Sequence, residues 1–144
     1  MIALAPAGAD GFQALDDFRG ARETILVESN AKAARLIREN LKSLDILTAA
    51  ELIEAPALRG LEKITTRRLL ADFLFLDPPY EKTADYEEVL AFLDASHLIA
   101  PRGIVIVEHH WKTELPEFLT RLECSRQLEQ GDAILSFYTL AAAA

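Results

Sequence analysis

At 144 residues, 51% hydrophobic and 26% charged, with only 6 glycines and 6 prolines, the chain has the size and make-up of one folded domain, which excludes a disordered, collagen-like or linker-dominated polymer. Apolar runs such as Ile104-Val105-Ile106-Val107 are far too short to span a membrane, and Met1 to Pro6 has no basic opening segment, so a soluble cytoplasmic protein is expected. The net charge of −8 argues against indiscriminate polyanion binding, and the lone Cys124 can form neither an internal disulfide nor a thiolate zinc cluster.

The first strand is expected over Ile2 to Ala5, running into the turn-rich Pro6 to Gly11, with a helix carrying Phe12, Leu15 and Phe18 on one side. Thr24 to Val27 is a continuous apolar run of the kind found in strands covered on both faces, and Glu28 ends it. From Asn30 the period becomes helical, with Ala34, Ile37, Leu41 and Leu44 on one face and Ser29 or Asn30 able to cap. Residues 45 to 70 are less regular, with a short strand at Glu51 to Glu54 and mixed helix and loop from Pro56 to Arg68. Phe73 to Leu76 is a second buried strand, stopped by Asp77-Pro78-Pro79-Tyr80, and Val89, Leu90 and Leu93 mark the next helix. Pro101-Arg102-Gly103 turns into a strand over Ile104 to Val107, closed by Glu108-His109-His110. Leu122 to Leu128 and Ala133 to Tyr138 flank Glu129-Gln130-Gly131-Asp132 as an antiparallel pair on the sheet edge. Strands alternating with amphipathic helices predict a single α/β domain over 1–140, a Rossmann-like, mostly parallel sheet with helices on both faces and residues 141–144 as an alanine tail.

In open α/β sheets ligands bind beyond the carboxyl ends of the strands, which directs attention to Glu28, Asp77 and Glu108. Glu28 lies 20 residues after Gly8, near the spacing at which a dinucleotide-binding unit places the acid that accepts both ribose hydroxyls. In Asp77-Pro78-Pro79-Tyr80 the prolines stiffen the loop and remove N–H groups, so it presents acceptors. An amine on an aromatic ring is a poor nucleophile. If the Asp77 carboxylate and the Pro78 carbonyl take its two hydrogens, the nitrogen can pyramidalise and aim its lone pair at an electrophile, with Tyr80 stacking on the base. The adjacent His109 and His110 point to opposite faces of an extended segment, so no shared metal is expected. The basic groups Arg35, Arg38 and Lys42, and Lys63, Arg67 and Arg68, are read as solvated helix faces.

These residues resemble the bacterial 16S ribosomal RNA guanine-N2 methyltransferases of the RsmD family. The likeness runs from residue 2 to about 140, on Arg19-Gly20-Ala21-Arg22-Glu23 leading to Val27-Glu28, Asn40-Leu41, Leu76-Asp77-Pro78-Pro79-Tyr80, Ala100-Pro101-Arg102-Gly103 leading to Val107-Glu108-His109, and Gln130-Gly131-Asp132-Ala133 leading to Phe137-Tyr138. The resemblance implies a class I methyltransferase fold and methylation of a guanine N2 amine in 16S rRNA or the small ribosomal subunit. S-adenosylmethionine would be held by Gly8, Glu28, Ser29 and Asp77, and the guanine by the catalytic stretch Asp77, Pro78, Pro79 and Tyr80. Asp-Pro-Pro-Tyr is shared with DNA adenine-N6 methyltransferases, which stays open as an alternative. The family also carries a basic extension and a fuller glycine-rich first loop. Here Leu4 stands in place of the loop acid, Asp10 in place of its second glycine, and Pro56 where an acid lies near the adenine. A shortened, non-catalytic remnant with impaired cofactor binding is therefore the other expectation.

Overall fold

Short runs of apolar, β-branched and aromatic residues become strands, and the stretches with a 3.6-residue period become the helices laid against them. In a computed structural model, residues 2–6, 24–43, 50–77 and 83–141 are described. In chain order they form β1 (Ile2–Pro6), β2 (Thr24–Glu28), α1 (Ala31–Ser43), β3 (Ala50–Glu54), α2 (Ala57–Thr65), β4 (Ala71–Leu76), α3 (Thr83–Ala95), β5 (Ile99–His110), β6 (Leu122–Gln130) and β7 (Ala133–Leu140). All seven strands join one sheet in the order β3-β2-β1-β4-β5-β7-β6. β2 pairs parallel with β3, and β4 with β5. The expected antiparallel pair closes the chain: β6 and β7 pair through a two-residue turn in which Gly131 takes φ 62°, a left-handed conformation that favours glycine.

β1 occupies the centre of the sheet but runs against both neighbours. Ile2 lies opposite Val27 and Leu76 at the carboxyl edge, while Pro6 lies opposite Ala71 at the other edge. Five strands therefore point one way, and β1 and β7 point the other. A central slot offers N–H and C=O groups on both sides to a strand of either polarity, so apolar content identifies such a strand without fixing its direction. Gly8 and the helix expected around Phe12 to Phe18 lie outside the described residues.

The core is continuous. Ile25, Val27, Leu61, Ile64, Leu74, Leu76, Leu90, Leu93, Val105 and Val107 are buried together, and the helices cover them. Gly60 sets the closeness of one helix: a Cβ there would overlap both methyls of Val27, Cγ2 at 2.9 Å, so α2 rests directly on β2 one residue before Glu28. Overpacking costs about 1–3 kcal/mol, and replacing a helical glycine by alanine returns about 1. Gly60→Ala is thus expected to lose up to about 2 kcal/mol in chemical denaturation; a variant more stable than the parent would contradict this packing. Among the described residues no helix is long and apolar enough to cross a membrane.

Candidate functional site

The ends of β3, β2, β4 and β5 bring four carboxylates, Glu54, Glu28, Asp77 and Glu108, to one edge of the sheet. Only β1 separates β2 from β4, which places Glu28 and Asp77 about 10 Å apart at the usual strand spacing.

Glu28 is half-buried and locally braced. Its Oε1 accepts the Asn30 N–H at 3.2 Å, and its carbonyl accepts the Ala55 N–H at 3.1 Å, which extends the β2–β3 ladder past Glu54. The cap of α1 is Asn30, whose Oδ1 accepts the Ala33 N–H at 3.0 Å, while Ser29 stands exposed between strand and helix. Beside it, Glu54 pairs with Arg38 at 3.8 Å. Arg67 grips Glu51 through two bonds of 2.9 and 2.6 Å, and that hydrogen-bonded guanidinium holds the Glu51 carboxyl below its usual range. One member of each basic group is therefore engaged with a carboxylate of β3.

Asp77 follows the last residue of β4. The register pairs Leu76 with Val107, so the next residue on each strand, Asp77 and Glu108, are also neighbours. Burial, then the Asp77 charge, then a hydrogen bond with Asp77 raise the Glu108 carboxyl above its ordinary value. Glu108 thus keeps its proton to higher pH than a free glutamate, with Asp77 as its hydrogen-bonding neighbour. The sequence marks Glu108 as a strand end but gives no sign of this partnership, which depends on a register that one strand cannot reveal.

Behind this pair the end of β5 is fixed from the core. Tyr86 of α3, fully buried, donates its hydroxyl to the Glu108 carbonyl at 3.0 Å and meets the His109 ring edge-on. The histidines do face opposite sides. His109 is buried, with Nε2 2.7 Å from Ser136 Oγ and Nδ1 3.1 Å from the His110 carbonyl, whereas His110 is half-exposed. A neutral ring that donates from Nδ1 and accepts the Ser136 hydroxyl satisfies both contacts, and Gln127 Nε2 donates to the same hydroxyl at 3.1 Å. Burial pushes the His109 pKa below its ordinary value, against the opposing pull of its backbone partners. The unfolded chain then takes up the proton first, and stability is lost as pH falls below about 6.5. The gap in unfolding free energy between the parent and His109→Asn is accordingly expected to narrow from pH 7.5 to 5.5; a constant gap would contradict the neutral buried imidazole.

Of the residues singled out in the sequence, Glu28, Ser29 and Asp77 stand at this edge, while Gly8, Pro78, Pro79 and Tyr80 lie outside the described residues. Cys124 is half-buried on β6 and packs against the core margin.

The family model described as "Conserved hypothetical protein 95" matches residues 4–139. The chain is 30% identical over 135 residues to "Putative rRNA methyltransferase YlbH" of Bacillus subtilis (strain 168), covering 94% of this chain and 72% of that protein. Among solved structures, a conserved hypothetical protein of Streptococcus pyogenes superposes with a TM-score of 0.68 at 26% identity, over 86% of this chain and 75% of that one. The methyltransferase PaMTH1 of Podospora anserina, solved with bound SAH, gives 0.62 at 18% identity over 92% and 68%, a likeness of fold.

Proposed function

The chain belongs to the Conserved hypothetical protein 95 family, the RsmD-like methyltransferases, and on that premise we propose that it methylates the N2 amine of a guanine in 16S ribosomal RNA, using S-adenosylmethionine. The observation that carries this reading is the carboxylate arrangement. One acid ends β2 and another ends β4, with a single strand between them, and the second lies beside Glu108 on β5. The family relative is named for rRNA methylation, and a neighbour of the same fold was solved with SAH. Such a reaction belongs with ribosomes in the cytoplasm.

Two half-buried carboxylates across one strand suit a nucleoside, since one acid can accept both ribose hydroxyls while the other faces the reacting end. Glu28 would hold the ribose, with Ser29 beside the cofactor; β1 ends at Pro6 on the opposite edge, so Gly8 has no part in this reading. S-adenosylmethionine, when bound, supplies a methyl group on sulfonium. The Asp77 carboxylate accepts one hydrogen of the guanine amine, the Pro78 carbonyl accepts the other, Pro79 keeps that loop free of a competing N–H, and Tyr80 stacks on the base. The lone pair is then free of the ring and aimed at the methyl carbon, so orientation supplies much of the rate. As the nitrogen would gain the methyl group and the sulfonium its bond's electrons, the amine proton would pass to the Asp77 carboxylate, beside which Glu108 lies.

The test is to incubate the protein with under-modified small ribosomal subunits and labelled S-adenosylmethionine, then identify the modified base. N2-methylguanine in 16S rRNA is expected; N6-methyladenine in DNA would replace this reading with the adenine methyltransferase one. A second reading, a non-catalytic domain with weakened cofactor binding, is favoured by the direction of β1, whose carboxyl end lies at the edge away from Glu28 and Asp77.

A further inference from the structure

We propose that Trp111, at the exit of β5, is a stacking platform for an unpaired RNA base near the target guanine; the idea rests on the proposed RNA reaction and adds a contact to it. Trp111 is the only tryptophan of the chain and is 55% exposed, so its ring is open to a partner. It is also held in place. Its backbone N–H donates to the Asp132 carbonyl in the β6–β7 turn at 3.0 Å, and its ring lies 5.7 Å from the His110 ring at 31°.

Its position follows from the strand. β5 pairs with β7 without a break from Ile104 to His110, so Glu108 and His110 share one face and lie about 7 Å apart along the strand. Trp111 follows His110, about 10 Å from Glu108 along the strand direction, so a base stacked on it would belong to the same short stretch of RNA as one held at Asp77. Single-stranded RNA is recognised by stacking splayed bases on aromatic rings while cations meet the backbone. The cation is present. Lys112 Nζ lies 5.4 Å from the indole centroid, where a base would sit, and its flexible stem lets it swing to the adjoining phosphate. In a chain of net charge −8, with carboxylates at the neighbouring strand ends, this Trp-Lys pair with His110 beside it gives the local attraction that the overall charge denies.

A lone tryptophan reports on itself. Titrating the intact protein with a short guanine-containing single-stranded oligoribonucleotide should quench its fluorescence, and Trp111→Ala should bind the same RNA at least tenfold more weakly, by nitrocellulose retention or anisotropy of labelled RNA. Trp111→Phe should recover most of the affinity, and circular dichroism should show all three proteins equally folded. RNA binding that leaves the fluorescence and the Trp111→Ala affinity unchanged overturns the proposal, as does quenching by ribosomal protein alone. Quenching by RNA in a protein that transfers no methyl group would refute the proposed reaction and leave the stacking site standing.

Discussion

Asp77→Ala is expected to lower methyl transfer at least about 100-fold while the unfolding midpoint moves by no more than a few degrees, because in the proposed reaction its carboxylate would face the amine and act mainly in the transition state. The two effects separate because Asp77 lies beyond the last β4 residue and is only half-buried, and because its removal relieves Glu108 of a neighbouring like charge. The Glu108 carboxyl, which its neighbour raises, then returns toward the ordinary range. Asp77→Asn keeps an acceptor but loses the charge, so it should fall between alanine and the parent. The rate of labelled methyl incorporation into under-modified subunits, with a thermal melt of each variant, checks both halves. An Asp77→Ala protein that keeps its rate removes this residue from the chemistry; one that fails to fold moves its role to stability.

The largest expected effect on stability is at Asp94, far from the strand ends. Asp94 lies in the last turn of α3 and is buried. Its Oδ1 accepts the Arg121 and Leu122 N–H groups at 2.6 and 2.8 Å, and its Oδ2 accepts that of Thr120 at 3.1 Å. One carboxylate thus ties the helix to the start of β6, beside the fully buried Leu122. Arg121 strengthens the junction by donating to the Ser96 carbonyl at 2.6 Å. Asp94→Ala leaves three backbone donors without their acceptor, at a cost of roughly 3 kcal/mol or more, or about 10 °C in Tm. Asp94→Asn keeps one oxygen and should lose less. Burial raises this carboxyl, but the N–H groups of Arg121, Leu122 and Thr120 outweigh it and hold it below its ordinary value. A depressed folded value means that the contribution is whole above the unfolded pKa near 4 and is lost as pH falls through the folded one. The difference between the parent and Asp94→Ala should therefore shrink in acid, and a gap unchanged down to pH 2 would contradict this account.

What could be read in the sequence follows from how local each signal is. The runs at Thr24 to Val27 and Phe73 to Leu76 announce themselves through continuous apolar composition, although only alternate side chains (Ile25 and Val27, Leu74 and Leu76) are fully buried, and Asn30 caps α1 through contacts three residues away. The expectation of a strand over Ile104–Val107 falls short of β5 because Pro101-Arg102-Gly103 has the composition of a turn; β5 instead starts at Ile99 and takes these residues in as an irregularity, its partner on β4 moving only from Ala71 to Phe73 while β5 advances from Ile99 to Ile104. At Gly103 a Cβ would stand 2.7 Å from the Ala71 carbonyl, so glycine serves close strand approach. The direction of β1 was not legible, since five apolar residues satisfy a central slot either way. Nothing in the local sequence singles out Asp94, whose partners at residues 120–122 only the fold brings to it, and the Asp77–Glu108 pair exists only through the register of β4 against β5.

Isothermal titration of the intact protein with S-adenosylmethionine, beside Glu28→Ala, goes most directly to the claim that the carboxyl edge of this sheet is built around a methyl donor. Saturable one-to-one binding by the parent, weakened at least tenfold in Glu28→Ala, is the result predicted. No heat from the parent at millimolar cofactor, or equal affinity in the two proteins, would contradict it.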